Sequence, residues 1–187
     1  MRGRDKLLER IDGTPLIRRV ADVAWASTAS EIVIVLGADA EARFAALEAL
    51  PFRIAKNPEW QSGMASSIRS GIGSLDGGVD AAIIMLGDMP DIQSELINKM
   101  IEAFDPERGI DIVRPVSVSG PVGNPVLFGR RHFPTLSALS GDTGAKSVIA
   151  SSQESVLDFP TADDSILVDL DTPEAWVEWE ARQKDKR

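Results

Sequence analysis

Two kinds of side chain in this sequence could act on a phosphate: carboxylates that follow apolar runs, and a lysine near the amino terminus. Asp88 follows the unbroken apolar run at 81–86 and precedes Met89-Pro90. Such a run predicts a central parallel strand buried on both faces, with Asp88 at its carboxyl end. Ligands collect at that edge of an open α/β sheet, so Asp88 is a candidate metal or phosphate ligand. The alternative is a turn residue capping a helix that begins near Ile92.

The lysine is Lys6, which lies in a strongly basic stretch. Four of the first ten residues are basic. Charge runs of this kind are usually solvated arms, whereas a functional Lys6 would lie close to a triphosphate. Spacing in the sequence favours the solvated arm.

Small polar residues are concentrated between residues 57 and 71, where turn residues lead into a helical pattern. Gly63, Ser66 and Ser67 would place backbone N–H groups and hydroxyls at the amino end of that helix. Such groups suit a nucleoside base, a ribose or a phosphate. An ordinary serine-rich helix start is the alternative.

The elements that must position these residues alternate between strand and helix patterns. Apolar runs predict strands near 31–37, 53–55, 81–86, 110–115, 126–128 and 166–170, with helices between most of them. The last strand would end in Asp169 and Asp171 on alternating sides, before a helix capped by Thr172. Residues 120–125 predict a stiff turn and a hairpin-like return.

Composition limits the class of function. The length of 187 residues and the 43% hydrophobic content fit a single globular domain over residues 1–187, without an apolar run near the roughly 20 residues that span a bilayer. The net charge of −9 argues against a nucleic-acid surface. The absence of cysteine excludes disulfides and thiol catalysis, and His132, the one histidine, is predicted to be a surface or half-buried residue without a metal. We expect a cytoplasmic protein that binds neither nucleic acid nor membrane.

Six motifs in a fixed order carry a resemblance to a known family. They are Gly3-x-x-Lys6, Asn57-Pro-x-Trp60-x-x-Gly63-Met64-x-Ser66-Ser67, Leu86-Gly-Asp88-Met-Pro90, Gly123-Asn-Pro125, Gly141-Asp-x-Gly-Ala145 and Asp169-x-Asp171-Thr-Pro-Glu174. In this order and spacing the chain resembles the MobA-like nucleotidyltransferases, and within them the molybdenum cofactor cytidylyltransferases. The resemblance implies an α/β, three-layer Rossmann-like nucleotide-diphospho-sugar transferase fold with a mostly parallel central sheet.

The same resemblance implies Mg²⁺-dependent transfer of CMP from CTP to the phosphate of a molybdopterin-type cofactor, with release of pyrophosphate. Asp88 and Asp171 would bind Mg²⁺, with Asp169 as the alternative to Asp171. Lys6 and Asp88 would be the catalytic residues, because phosphoryl transfer depends on a metal clamp and on cations that stabilise the transition state. The implied nucleotide contacts are Gly3, Lys6, Gly63, Ser66, Ser67 and Asp88, and the implied acceptor contacts are Asn124, Pro125 and Asp142.

The chain departs from the family pattern at its start. The family begins with a buried strand and a loop of the form Leu-Ala-Ala-Gly-x-x-x-Arg-Met-Gly, whose amides hold the triphosphate, and only the last glycine has a match, Gly3. We therefore expect a native strand and Gly-rich loop before residue 1. Three other interpretations stay open: use of GTP, use of a sugar-phosphate acceptor, or a non-catalytic carrier of the cofactor for a molybdenum hydroxylase. Lys6, Asp88 and Asp171 together favour the enzyme, because a pure binder needs no Mg²⁺ pair.

Overall fold

A computed structural model of the chain describes residues 5–47, 51–142 and 144–185. Gly3, which the sequence predicts as a nucleotide contact, lies outside the described residues. The strands are β1 Arg10–Ile11, β2 Thr14–Pro15, β3 Val33–Leu36, β4 Arg53–Lys56, β5 Ala81–Ile84, β6 Ile112–Val116, β7 Val126–Gly129 and β8 Val156–Pro160. The α-helices are α1 Leu16–Trp25, α2 Ala40–Ala46, α3 Met64–Ile72, α4 Ser94–Ala103, α5 Phe133–Ser137, α6 Lys146–Ala150 and α7 Pro173–Asp185. Within the described ranges, none of these helices has the length and apolar character needed to cross a membrane.

The strands form three sheets. β1 and β2 make a short hairpin, β3 and β4 make a parallel pair, and the other four strands form one sheet in the order β5-β7-β6-β8. β6 is parallel to β8, while β7 is antiparallel to both β5 and β6. The antiparallel return from β6 to β7 confirms the hairpin-like connection expected at 120–125. Because of it the four-stranded sheet is mixed, whereas the sequence predicts a mostly parallel one.

Helices cover both faces of the four-stranded sheet. Successive side chains of a strand point to opposite faces, so Ile112 and Val113 of β6 face different layers. Ile112 packs in a cluster with side chains of α3, α5 and α6. Val113 packs against Met100 of α4 on the other face. The chain thus has the three-layer α/β arrangement that the sequence predicts.

The last helix fixes the segment that precedes it. Trp176 and Trp179 of α7 are buried, contact each other edge to face, and pack against Leu16 and Val20 of α1. The indole N–H of Trp176 also donates to the carbonyl of Leu170 at 3.2 Å. The two tryptophans are therefore packing residues, as predicted, and one of them holds the chain just before the helix.

The strand predicted at 166–170 does not form. Ser165–Leu167 is a 3-10 turn, and the residues after it join no sheet among the described strands. The apolar pattern there has another cause, since Ile166 and Leu170 are buried in the core without pairing to a strand. Thr172 does cap α7 as predicted, because its hydroxyl accepts an N–H of the first turn at 3.1 Å.

A cavity of about 680 Å³ lies between β3 and β5. Among the described strands, neither has a second partner on that side. All of β5 and most of β3 are accordingly only partly buried. The prediction that the run before Asp88 is a central strand buried on both faces is therefore wrong, because β5 is an edge strand of its sheet.

His132 is buried, so its predicted surface or half-buried position is wrong. Its ring accepts a hydrogen bond from Nε of Arg131 at 3.3 Å, and Arg131 also pairs with the buried carboxylate of Asp111 at 2.8 Å. Burial lowers the pKa of His132, and the positive charge of Arg131 lowers it further, although Asp111 opposes this. The folded chain thus favours the neutral ring.

Acidification should destabilise the chain through His132. The pKa of His132 is lower in the folded state than the unfolded value of about 6.5. The contribution of the neutral ring to the free energy of unfolding is therefore complete above about pH 6.5 and is lost as the pH falls through the folded-state pKa. Between the unfolded-state and the folded-state pKa of His132, the free energy of unfolding should fall by at most about 1.4 kcal/mol for each unit by which the pH is lowered. Urea unfolding at pH 7.5 and 5.5 measures the loss. His132→Gln should reduce it, and an equal loss in that variant would contradict the assignment.

Candidate active site

Lys6 is held by a short turn and does not belong to a free arm. The turn Lys6–Leu8 begins after Asp5, whose side chain accepts the N–H of Leu7 at 3.0 Å. Arg43 of α2 fixes Asp5 through two contacts, Nε to Oδ2 at 2.7 Å and Nη2 to Oδ1 at 3.1 Å. Leu7 packs against two apolar clusters. The solvated-arm interpretation is therefore wrong for Lys6.

The Lys6 ammonium bridges two carboxylates. Nζ donates to Oδ2 of Asp88 at 2.6 Å and to Oδ1 of Asp171. The partners lie 82 and 165 positions away in the sequence. The fold thus brings together three of the residues that the sequence predicts for the site.

Asp88 lies just beyond the carboxyl end of β5, as predicted. It is not a helix cap, since α4 begins only at Ser94. Its carbonyl accepts the N–H of Leu170 at 3.0 Å, which ties the carboxylate-bearing segment before α7 to this loop. Oδ2 binds Lys6, whereas Oδ1 is buried without a hydrogen-bond partner in the described part of the chain. A buried carboxylate oxygen without a partner is costly, so this atom suits a cation.

The pKa values reflect this cluster of charges. Partial burial lowers the pKa of Lys6, but hydrogen bonds to Asp171 and Asp88 outweigh that effect and leave it raised. The hydrogen bond from Lys6 lowers the pKa of Asp171. Burial, together with the negative charges of Asp171 and Asp88, raises the pKa of Asp169. Asp169 therefore lies beside the cluster, while Asp171 pairs with Lys6; which of the two binds a metal stays a prediction.

Asn57, which sequence reasoning did not single out as functional, organises the start of α3. It is 3% exposed. Its Oδ1 accepts the N–H of Glu59 at 2.9 Å, and this orients the amide so that Nδ2 donates to Ser66 at 2.8 Å and Ser67 at 3.0 Å. The Ser66 hydroxyl donates in turn to the carbonyl of Gly63 at 2.8 Å. Asn57, Ser66 and Ser67 belong to one of the six motifs, but separations of nine and ten residues do not by themselves predict these contacts.

The Gly63 turn packs against the loop that contains Asp142. Gly63 has a φ of +103°, in the region that favours glycine, and a Cβ there would collide with Oδ1 of Asp142 and lie 2.8 Å from the carbonyl oxygen of Gly141. Oδ1 of Asp142 accepts the N–H of Met64 at 3.3 Å, and the carbonyl of Gly141 accepts that of Ala65 at 3.2 Å. Asp142, predicted to face the acceptor, therefore contacts the segment predicted to face the nucleotide.

The predicted acceptor residues Asn124 and Pro125 lie in a different loop. The N–H of Asn124 donates to the carbonyl of Ile166 at 3.1 Å, and that of Gly123 donates to Pro115 at 3.0 Å. These bonds hold the loop beside the turn that leads to the carboxylate segment. Contact with an acceptor stays a prediction for both residues.

Ser67 and chain neighbours of the Lys6 cluster line one cavity. The cavity between β3 and β5 is also lined by Leu7 and Gly87, the chain neighbours of Lys6 and Asp88, and by Ser67. Lys6, Asp88 and Asp171 do not line the cavity themselves, so it joins the start of α3 to the backbone beside the charged cluster. A cation, two carboxylates and a serine hydroxyl near one cavity are groups from which a nucleoside triphosphate site can be built.

A sequence model described as the MobA-like NTP transferase domain matches residues 1–156. This chain belongs to that family. Lys6, Asp88 and the start of α3 lie within the matched part of this MobA-like transferase, and Asp171 lies beyond it. The family resemblance that the motifs indicate is confirmed.

Two proteins with different names are similar in sequence to this MobA-like transferase. Nicotine blue oxidoreductase of Paenarthrobacter nicotinovorans is 29% identical over 174 residues, which cover 87% of this chain and 81% of that protein. The purine catabolism protein PucB of Bacillus subtilis is 30% identical over 118 residues, which cover 62% of this chain and 55% of PucB.

Solved structures share the fold. The homologue of Rv0371c from Mycobacterium sp. strain JC1 has a TM-score of 0.85 at 23% identity, over 99% of this chain and 91% of its own. The manganese complex of Rv0371c from Mycobacterium tuberculosis has a TM-score of 0.78 at 24% identity, over 94% and 91%. The CTP complex of CMP:2-keto-3-deoxy-manno-octonic acid synthetase has a TM-score of 0.75 at 12% identity, over 97% and 92%. The nucleotide-diphospho-sugar transferase fold expected from the sequence is confirmed.

Gly63→Ala should destabilise the transferase by about 1–3 kcal/mol, because a side chain at this φ is strained. The new Cβ would also meet Asp142 and Gly141. Gly77→Ala is the matched control, since a Cβ at Gly77 has no neighbour within 4 Å. Thermal unfolding of both variants measures the difference. Equal melting temperatures would contradict both the backbone strain and the close packing assigned to Gly63.

Proposed function

We propose that this transferase moves CMP from CTP to the phosphate of a molybdopterin-type acceptor. A phosphate oxygen of the acceptor would attack the α-phosphorus, the bond from that phosphorus to the oxygen bridging to the β-phosphate would break, and pyrophosphate would leave. The observation that carries the proposal is the convergence of Lys6, Asp88 and Asp171 beyond β5, in a member of an NTP transferase family.

The carboxylates fit a divalent cation. Oδ1 of Asp88 is the buried oxygen without a partner, and the Asp171 side chain is 58% exposed and open to a ligand. The described residues contain no group of three or more His, Cys, Asp or Glu side chains placed to hold a metal. This agrees with Mg²⁺, which is commonly bound through one or two carboxylates together with water and substrate phosphates. Asp88 and Asp171 would hold Mg²⁺, which when bound would neutralise charge on the phosphates.

Lys6 would act on the transferring phosphoryl group. Its raised pKa keeps the ammonium charged at neutral pH. Phosphoryl transfer needs little covalent help from a protein, so a positioned cation that stabilises the redistributed charge contributes directly to the rate. Lys6 and Asp88 are the residues to which the proposal assigns catalysis.

The proposal gives different roles to two serines that the sequence treats alike. The Ser66 hydroxyl is buried. It accepts a hydrogen bond from Nδ2 of Asn57 and donates one to the carbonyl of Gly63, so it already acts as acceptor and as donor within the chain. The Ser67 hydroxyl accepts from Asn57 and lines the cavity, and within the described ranges no acceptor takes its proton. Ser67 would therefore donate to an acceptor atom of CTP, while Ser66 would hold the Gly63 turn.

Several further assignments of the proposal rest on the family resemblance. Asn124, Pro125 and Asp142 would face the acceptor, Gly3 would contact the nucleotide, and a molybdenum hydroxylase would receive the product. The CTP complex of a protein with this fold supports a pyrimidine nucleotide. A cytoplasmic location and a single domain over 1–187 stay predictions. GTP, a sugar-phosphate acceptor and a non-catalytic carrier are the alternatives.

Lys6→Ala should slow transfer by two to three orders of magnitude, or about 3–4 kcal/mol of transition-state stabilisation. It should weaken CTP binding less, because the charge matters most as it redistributes in the transition state. The measurement is single-turnover pyrophosphate release with saturating CTP and molybdopterin. Lys99→Ala, which removes an exposed charge from α4, is the control.

Three outcomes of that assay would change the proposal. An unchanged rate for Lys6→Ala would remove Lys6 from catalysis. Faster release with GTP would place the protein in the guanylyl branch. Binding of molybdopterin without pyrophosphate release in the wild type would support the carrier.

Ser67→Ala should weaken CTP binding by about tenfold, the effect of one hydrogen bond of roughly 1.4 kcal/mol. Ser66→Ala should leave CTP affinity within about twofold but lower stability by about 1–2 kcal/mol, because an amide proton of Asn57 and the Gly63 carbonyl lose their partner. Calorimetry and thermal unfolding separate the two effects. The opposite pattern would reverse the roles assigned to the serines.

A further inference from the structure

We propose that Lys6 keeps the metal position closed in the nucleotide-free chain, so that the site takes its divalent cation together with a nucleoside triphosphate and not as a resident ion. The inference rests on the proposed function and names the form in which the substrate binds, a complex of metal and nucleoside triphosphate. It is argued from the contacts of Lys6 with Asp88 and Asp171.

Lys6 occupies carboxylate oxygens that a metal would need. The Lys6 ammonium takes Oδ2 of Asp88 and Oδ1 of Asp171. The buried oxygen left over on Asp88 is Oδ1. Mg²⁺ requires near-octahedral oxygen coordination, and the described chain groups no three metal-ligating side chains that could supply more of it. While Lys6 stays in place, a free ion can therefore use only the second oxygen of each carboxylate, Oδ1 of Asp88 and Oδ2 of Asp171.

Charge also opposes a metal at this position. The side chain of Asp88 is only 16% exposed and that of Lys6 30%, so water screens this pair incompletely. An ammonium and a divalent cation that share the carboxylate of Asp88 would repel each other, and water would screen that repulsion only in part. Binding of the metal between Asp88 and Asp171 thus requires Lys6 to leave them.

A triphosphate removes this conflict. It supplies several negative charges and oxygen acceptors, so Lys6 can exchange a carboxylate contact for a phosphate contact of similar strength. The flexible stem of lysine lets the ammonium move, while the contacts between Asp5 and Arg43 keep the backbone of the turn in place. Metal and nucleotide should therefore bind with positive coupling, which is reciprocal by linkage.

Titration of Mn²⁺ into the full chain without nucleotide, followed by electron paramagnetic resonance, tests the inference. Lys6→Met should bind Mn²⁺ at least about tenfold more tightly than the wild type, within the usual range of coupling between sites. If Lys6→Met does not fold, Lys6→Gln, which keeps a donor without the charge, should show the same gain. Lys99→Met removes an exposed charge elsewhere and should bind like the wild type. Asp88→Asn added to Lys6→Met should abolish the gain, which would locate the ion.

The coupling between binding of the metal and binding of CTP can also be measured. Calorimetry of CTP binding with and without Mn²⁺ should show a larger metal-dependent gain in the wild type than in Lys6→Met, because the variant has no ammonium to displace. Equal Mn²⁺ affinities of the wild type and Lys6→Met without nucleotide would overturn the inference and leave the proposed transferase intact. Failure of the wild type to bind CTP in the presence of Mn²⁺ would contradict the proposed function itself.

Discussion

The constraint on which this structure depends is the charge balance between one ammonium and two carboxylates. Asp88 carries its charge at a largely buried position, where an uncompensated carboxylate would be costly. Lys6 compensates it and draws Asp171 to the same place. Because the three residues come from the start, the middle and the end of the chain, one cluster joins three regions that share no strand pairing.

Each of these regions is also held by contacts outside the charged cluster. Arg43 fixes the turn of Lys6 through Asp5. Leu170 binds the backbone of Asp88, and Trp176 holds Leu170 in turn. The three charged groups therefore lie on loops and turns, but packed helices restrict where those segments can go. The backbones that carry the charged side chains are thus restrained by contacts beyond the cluster itself.

The sequence predicted what local patterns encode. An apolar run ended by Gly87 and Pro90 placed Asp88 beyond a strand, and Thr172 before Pro173 placed the start of α7. It failed where the answer depends on distant neighbours. The same apolar pattern suits a central strand and an edge strand, so the run at 81–86 could not by itself predict how β5 is paired. Residues 166–170 look like a strand because Ile166 and Leu170 are buried, yet burial does not require sheet pairing.

The cavity between β3 and β5 has a thermodynamic consequence. Apolar side chains of both strands already contact solvent in the folded state, so unfolding exposes less new apolar surface there than full burial would allow. The heat capacity of unfolding rises by about 0.45 cal/K/mol for each Å² of apolar surface exposed. It is therefore lower for this chain than for one of equal length with fully buried central strands. The stability curve is flatter as a result, and the free energy of unfolding declines more slowly on either side of its maximum.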